Sequence, residues 1–291
     1  MNWWDDALHR ATAEVVLAGA LAALVGVHVV VRRLSFFTMA LTHATFPGVV
    51  AAAVIGVDIY AGGVVAGAVI AVGVAALSRR RGQNAAAATG VMLSGGFALG
   101  AALIATRNGF SRDLSSFLVG SVLTVGPRDL ATTAAVLVVV AAVLTLYARP
   151  LLFTGFDPAG ARAAGFATGV WDLVLLLTIQ VAVVTIVPAV GTILALALIV
   201  APAAAARFWT GRLPVMTALA VTFGVAAGLI GLYASSRWNV AAGAGIALAA
   251  TGLLLVSAAL SRLRWMPLRL RRDERTRRRI AEVLRYAGPA A

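Results

Sequence analysis

The 291-residue chain is 61% hydrophobic and only 12% charged, with a mean hydropathy of +0.96. These values exclude an ordinary soluble domain, and the absence of cysteine excludes disulfides and thiolate metal sites. The net charge of +13 rests on 24 basic residues, all of them arginine. The arginines cluster in a C-terminal tail and in short segments between apolar runs, which is typical of a membrane protein and argues against nucleic acid as a partner.

Continuous apolar runs of about 20 residues recur along the chain, and each is long enough to cross a bilayer core of ~30 Å as a helix. A spanning β-barrel would instead need a period of two. We therefore predict an all-α, polytopic transmembrane bundle of about nine spans, with eight to ten as the range. The predicted spans are roughly 13–31, 37–57, 60–78, 85–105, 131–148, 172–187, 189–206, 214–233 and 239–260.

The distribution of arginine predicts the orientation. Most arginines fall on one side of the predicted membrane, together with ten in the tail between Arg262 and Arg285. Because cytoplasmic loops are enriched in basic residues, we expect the N-terminus outside and the C-terminus in the cytoplasm. The chain then divides into a transmembrane domain, 1–261, and an arginine-rich cytoplasmic tail, 262–291. We expect the tail to bind anionic lipid headgroups.

Two stretches do not fit a simple series of spans. The segment 107–130 is too polar for a regular span and too apolar for a solvated loop, so a re-entrant element and a further span both stay open. The segment 172–206 must hold two spans, and we expect a tight reversal at 187–191, where a proline and a glycine occur.

The most informative side chain is His43, in the apolar part of a segment that begins with an arginine pair. An ionisable metal ligand inside a membrane is costly, so it is a candidate functional residue. Met39 precedes it by one helical turn, which places a thioether and an imidazole on one face. A packed histidine and an ordinary apolar methionine are the alternatives. Gln180, an amide within a predicted span, could line a path or bond to another helix.

A short helix is predicted between the spans that end near 148 and begin near 172. Asp157 suits its N-cap, Pro158 its first position, and Gly165 its end. The helix is too short to span a membrane. It could dock into the groove of a partner, or it could link two spans along the membrane surface.

Four ordered stretches resemble motifs of the metal-type ABC transporter permeases. They are RRLSFFTMALTHATFPG at 32–48, SRDLSSFLVGSVLTVGPRDL at 111–130, FDPAGARAAG at 156–165 and VPAVGTILALALIVAPAAAARFWT at 187–210. The resemblance implies the membrane subunit of an ATP-driven importer of zinc, manganese or iron, with zinc as the first choice, in the bacterial inner membrane. ATP hydrolysis would then belong to a cytoplasmic ATPase dimer, so the chain itself is not an enzyme. The other implied partners are an extracytoplasmic metal-binding protein and a second copy of the chain.

The resemblance also implies roles for individual residues. In the family, an Asp-x-x-x-His pair on the second span lines the translocation path, and His43 matches the histidine. Met39 stands where the family has aspartate, and a ligand set without a carboxylate favours softer cargo and disfavours manganese. The transported metal would bind at His43, and no permanent cofactor is expected. FDPAGARAAG would be the coupling helix, and the residues expected to face the ATPase are Asp157, Pro158, Ala161, Arg162 and Gly165.

Two rival interpretations remain open. A secondary transporter driven by an ion gradient would need buried acidic residues as relays, and we expect none in mid-span. A relative that kept the permease fold but carries other or chelated cargo is the second rival, because of Met39.

Overall fold

The computed structural model describes residues 7–78, 85–105, 122–238 and 240–263. These residues form eleven α-helices and a 3₁₀ turn at Val122–Thr124, with no strand among them. In chain order the helices are α1 (Ala7–Val31), α2 (Ser35–Ile55), α3 (Ile59–Ser78), α4 (Ala85–Ala105), α5 (Pro127–Leu146), α6 (Ala148–Phe156), α7 (Pro158–Ala163), α8 (Thr168–Val190), α9 (Thr192–Arg207), α10 (Leu213–Trp238) and α11 (Ala242–Leu263).

The prediction of an all-α bundle is confirmed for the described residues. Six helices are long and apolar enough to cross a membrane, namely α1, α3, α5, α8, α10 and α11. Each of the nine predicted spans overlaps an α-helix, but three of these helices, α2, α4 and α9, are not among the six, so the count of nine spans and the orientation of the termini stay predictions. The tail beyond residue 263 and residues 106–121, which include most of the ambiguous segment, lie outside the described residues.

Helices α1 and α8 form the centre of the bundle. In α1 and α8, 61% and 72% of the apolar stretch is buried, against 22% in α5 and 28% in α11. Helix α1 packs against α5, α8, α9 and α10, and α8 also packs against α3 and α5. Because lipid is as apolar as a protein core, burial and not hydropathy separates the centre of a membrane bundle from its edge.

Close contacts between helices occur where glycine removes a side chain. A Cβ built on Gly19 of α1 would lie 2.8 Å from the Gly224 carbonyl oxygen of α10. A Cβ on Gly48 of α2 would overlap the Gly62 carbonyl of α3. These glycines therefore let α1 approach α10 and α2 approach α3, as small residues do in membrane bundles.

A single residue separates α8 from α9. Gly191 lies between them with φ +93°, a left-handed backbone conformation that favours glycine. The predicted break at 187–191 therefore falls at Gly191.

The two ends of the bundle carry different elements. At one end, called the α7 end below, the end of α1 meets the beginning of α8 and the short helices α6 and α7. At the opposite end, the beginning of α1 meets α5 and the chain around the 3₁₀ turn. The α7 end is the one predicted to face the cytoplasm.

Candidate translocation path and coupling helix

Met39 and His43 lie one turn apart in the first half of α2, counted from the α7 end. Met39 is 37% exposed and His43 is half-buried. The imidazole of His43 makes no hydrogen bond to any residue that the structure describes. The thioether and the imidazole therefore form an open face of α2, unlike a packed histidine bonded to a neighbouring helix.

A second face of α2 is closed. Thr38 and Thr42 are buried, and their hydroxyls donate to the Leu34 and Met39 carbonyl oxygens at 3.1 and 2.8 Å. Both hydroxyls are thus satisfied within the helix, as buried threonines in membrane helices usually are. The burial of this face orients α2 and leaves the face with His43 open.

Pro47 lies inside α2, four residues after His43. Because proline has no N–H, the carbonyl oxygen of His43 loses its usual intrahelical donor. An oxygen acceptor is therefore left on the residue that carries the imidazole. No group of three or more His, Cys, Asp or Glu side chains that could hold a metal occurs in the described part of the chain.

Gln180 occupies a different environment from the open face of α2. It is 0% exposed in α8, and its Nε2 donates to the Gly63 carbonyl oxygen of α3 at 3.2 Å. A Cβ on Gly67 would overlap the amide of Gln180. Gly63 and Gly67 of α3 therefore form the notch that receives the Gln180 side chain. The sequence allows two interpretations of Gln180, a residue that lines a path or one that bonds to another helix. The structure shows the hydrogen bond to another helix.

Helix α7 has the ends that the sequence predicts. Asp157 is its N-cap and its Oδ1 accepts from the Gly160 N–H at 2.8 Å, while Pro158 is the first helical residue. Gly165, with φ +84°, lies just beyond the other end. The predicted cap, first residue and terminating glycine are confirmed.

The surface of α7 includes four of the five residues implied by the resemblance. Asp157, Pro158, Arg162 and Gly165 are exposed, whereas Ala161 is fully buried. Ala161 therefore does not share this surface, because one side of even a short helix must turn toward the protein.

At the opposite end of the bundle, the structure places acidic groups that the sequence analysis missed. Glu14 of α1 is 1% exposed, and its Oε1 accepts from the Thr133 hydroxyl of α5 at 2.9 Å. Its Oε2 has no hydrogen-bond partner among the described residues. From the sequence we expect no acidic side chain in mid-span, and Glu14 lies near the beginning of α1, which starts six residues before its predicted start.

Asp129 has partners in two parts of the structure. Its Oδ1 accepts from the Tyr60 hydroxyl of α3 at 2.8 Å, and its Oδ2 accepts from the Gly126 N–H at 2.9 Å. It therefore caps α5 and ties it to α3. No local sequence signal could have paired Tyr60 with Asp129, since 69 positions separate them.

The sequence matches a known family. A sequence profile of the ABC 3 transport family covers residues 4–261. The chain belongs to the ABC 3 transport family. It is 33% identical over 250 residues to the "Manganese transport system membrane protein MntC" of Halalkalibacterium halodurans, with 86% of each chain covered. It is 26% identical over 257 residues to the "Probable iron transport system membrane protein" of Haemophilus influenzae, with 88% of this chain and 94% of the relative covered.

A solved structure supports the same assignment. PsaBC from Streptococcus pneumoniae in complex with Fab superposes with a TM-score of 0.78 at 31% identity, covering 86% of this chain and 90% of that chain. The predicted permease family is therefore confirmed. So is the prediction of a multi-span protein of the bacterial cytoplasmic membrane.

We expect Thr133→Val to destabilise the bundle, because it removes the hydroxyl that donates to Glu14 and nearly preserves the shape of the side chain. Leaving a buried acceptor without its donor costs about 1–3 kcal/mol. Thermal unfolding in detergent, followed by tryptophan fluorescence, should show a lower Tm for this variant. Thr133→Ser keeps the donor and is the matched control, and an equal Tm for the two variants would contradict the role of the hydroxyl.

Proposed function

We propose that this permease forms, as a homodimer, the translocation path of an ATP-driven importer of a divalent transition metal. The observation that carries the proposal is the open face of α2 in a member of the ABC 3 transport family. This face carries Met39, the His43 imidazole and the His43 carbonyl, whose usual donor in a helix is absent because residue 47 is proline. Two copies related by a two-fold axis would bring two such faces together. Imidazole and carbonyl groups are ligands that divalent transition metals accept.

The cargo follows from the relatives and from the ligands. The names of the two relatives give manganese and iron as their cargo, so we rank these ions ahead of zinc. Met39 and His43 provide no carboxylate, and imidazole binds iron(II) more tightly than manganese(II) in the Irving–Williams order. We therefore propose that Met39 shifts the preference of the path toward iron.

The orientation that we propose places the α7 end in the cytoplasm, with the N-terminus outside and the C-terminus inside. Exposed arginines at this end support it, because basic residues concentrate on the cytoplasmic side. These arginines are Arg33, Arg149, Arg162, Arg207 and Arg212. The arginine-rich tail would then meet the anionic inner leaflet.

The exposed surface of α7 is the proposed contact with the ATPase dimer, which hydrolyses ATP on behalf of the permease. Asp157, Pro158, Arg162 and Gly165 would form the direct contact, and Ala161 would support it from beneath. The opposite end of the bundle would receive the extracytoplasmic metal-binding protein. Gln180, bonded to α3, would hold the helices around the path and not contact the cargo.

One observation favours a second candidate, a secondary transporter. Glu14 is a buried carboxylate in a spanning helix, and such groups often act as proton relays. Membership in an ABC family favours the first candidate.

We expect His43→Ala to lower metal uptake by about tenfold or more, equivalent to roughly 1.4 kcal/mol of lost binding, while assembly stays intact. Uptake is measured in proteoliposomes that contain the permease, its ATPase and its metal-binding protein. Met39→Asp should raise manganese uptake relative to iron, because a carboxylate suits manganese. Met39→Leu is the control for the loss of the thioether alone. Unchanged uptake in His43→Ala would make this histidine structural.

We expect Arg162→Glu to reduce co-purification of the ATPase, because it inverts the charge on the proposed contact surface. Asp157→Asn should have a smaller effect, since it removes the charge and keeps a capping oxygen. Arg149→Glu makes the same charge change on α6, at the same end but outside α7, and should leave the complex intact. Equal yields of complex from Arg162→Glu and Arg149→Glu would refute the coupling role of α7.

A further inference from the structure

Arg32 joins three parts of the bundle through one side chain. It follows α1 directly, and its side chain is only 12% exposed. Its Nη1 donates to Oδ1 of Asp172 in α8 at 2.6 Å. Its Nη2 donates to the Leu151 carbonyl oxygen and, at 3.1 Å, to the Thr154 hydroxyl, both in α6. The partners lie 119 to 140 positions away in the chain.

The two helices that Arg32 holds are the two that flank α7. Helix α6 ends at Phe156, immediately before the N-cap of α7, and α8 begins at Thr168, a few residues after α7 ends. Because these connections are short, a displacement of α7 must displace α6, α8 or both. The guanidinium of Arg32 is bonded to each of them.

On its other side, Arg32 belongs to the corner between α1 and α2. Arg33 has φ +57°, and the Leu34 N–H donates to the Val29 carbonyl oxygen at 2.8 Å, so the corner is a tight hydrogen-bonded turn. Helix α2 begins directly after this corner and carries Met39 one turn later. A force on the guanidinium therefore reaches the beginning of the helix that carries the candidate path.

The surroundings of Arg32 are shaped for this contact. A Cβ built on Gly155 would lie 2.7 Å from Arg32 Nε, so the absence of a side chain there leaves room for the guanidinium. Arg33, the next residue, is exposed, and its side chain makes no hydrogen bond or ion pair with the described residues. The two adjacent arginines are thus not equivalent, and only Arg32 links helices.

Direct packing does not fill the space between α7 and the beginning of α2. A cavity of about 530 Å³ lies there, lined by Arg33 and Phe37 near α2 and by Pro158 and Arg162 on α7. A cavity leaves few atoms in contact to transmit movement. The hydrogen bonds of Arg32 at the edge of this cavity provide a direct connection.

We infer that Arg32 is a positioning residue that couples the displacement of α7 to α2, and so to the path for the metal. The inference rests on the proposed function. An ion pair with a partner as exposed as Asp172, at 52%, contributes little to stability, about 0–1 kcal/mol. The role of the contact is therefore geometric: a planar fork reaches three acceptors on two helices, which a lysine ammonium does not reproduce.

The test measures ATP hydrolysis and metal uptake in the same proteoliposomes, which contain the permease, its ATPase and its metal-binding protein. Arg32→Gln should assemble and hydrolyse ATP, but the metal transported per ATP should fall by about tenfold, a usual size for coupling between sites. Arg32→Lys should recover only part of the loss. Arg33→Gln, the neighbouring arginine, is the matched control and should behave as the wild type.

Asp172→Ala guards against a failure of Arg32→Gln to assemble, because it removes the acceptor on α8 and leaves the bonds of the guanidinium to α6. Its transport per ATP should also fall, by less than that of Arg32→Gln. A wild-type ratio in Asp172→Ala and in any assembled Arg32→Gln, or an equal loss in Arg33→Gln, would overturn the inference. If the wild type shows no ATP-dependent uptake, the proposed function fails first, and the inference fails with it.

A second readout separates coupling from stability. The chain has no cysteine, so a single cysteine can be labelled without background. Cysteines at Ala159 of α7 and at Phe36 of α2, both exposed, should change their maleimide reactivity with nucleotide in the wild type. In Arg32→Gln the change should persist at 159 and disappear at 36, and in Asp172→Ala it should persist at 159 and be reduced at 36. Persistence at both positions would contradict the inference.

Discussion

Polar groups inside a bilayer must find their partners within the protein, because the hydrocarbon core offers no water. This requirement fixes how the helices of the bundle pair. Glu14 of α1 accepts from Thr133 of α5, and Gln180 of α8 donates to Gly63 of α3. The His43 side chain is different, since it makes no hydrogen bond to the described residues and lies on an open face. This difference is the reason why we propose His43 as a residue of the path for the metal.

Much of the fold can be predicted from the sequence, because the physical causes are local. The length of each apolar run sets the length of a helix, so each predicted span overlaps an observed α-helix. Asp157, Pro158 and Gly165 define α7 by capping chemistry that acts within a few residues. The features that the sequence does not predict are contacts between residues that are far apart in the chain. The burial of Glu14 requires α5, and its isolated carboxylate gave no signal of that contact.

The candidate site likewise has one part that the sequence predicts and another that depends on contacts between distant helices. The pairing of Met39 with His43 follows from the helical repeat, and the structure keeps both on an open face of α2. The position of Gln180 could not be predicted, because its environment depends on the notch at Gly63 and Gly67 in another helix. Arg32 marks a membrane boundary in the sequence, but only the structure brings it to α6 and α8. The coupling function that we infer is thus a property of the tertiary fold.

The central claim is that this permease moves a divalent metal with energy from ATP. The most direct measurement is the accumulation of radioactive manganese or iron in proteoliposomes that contain the permease, its ATPase and its metal-binding protein. The account predicts that accumulation requires ATP on the side of the ATPase and continues when proton and sodium gradients are collapsed. Accumulation that needs an ion gradient and proceeds without ATP would contradict the account and establish a secondary transporter instead.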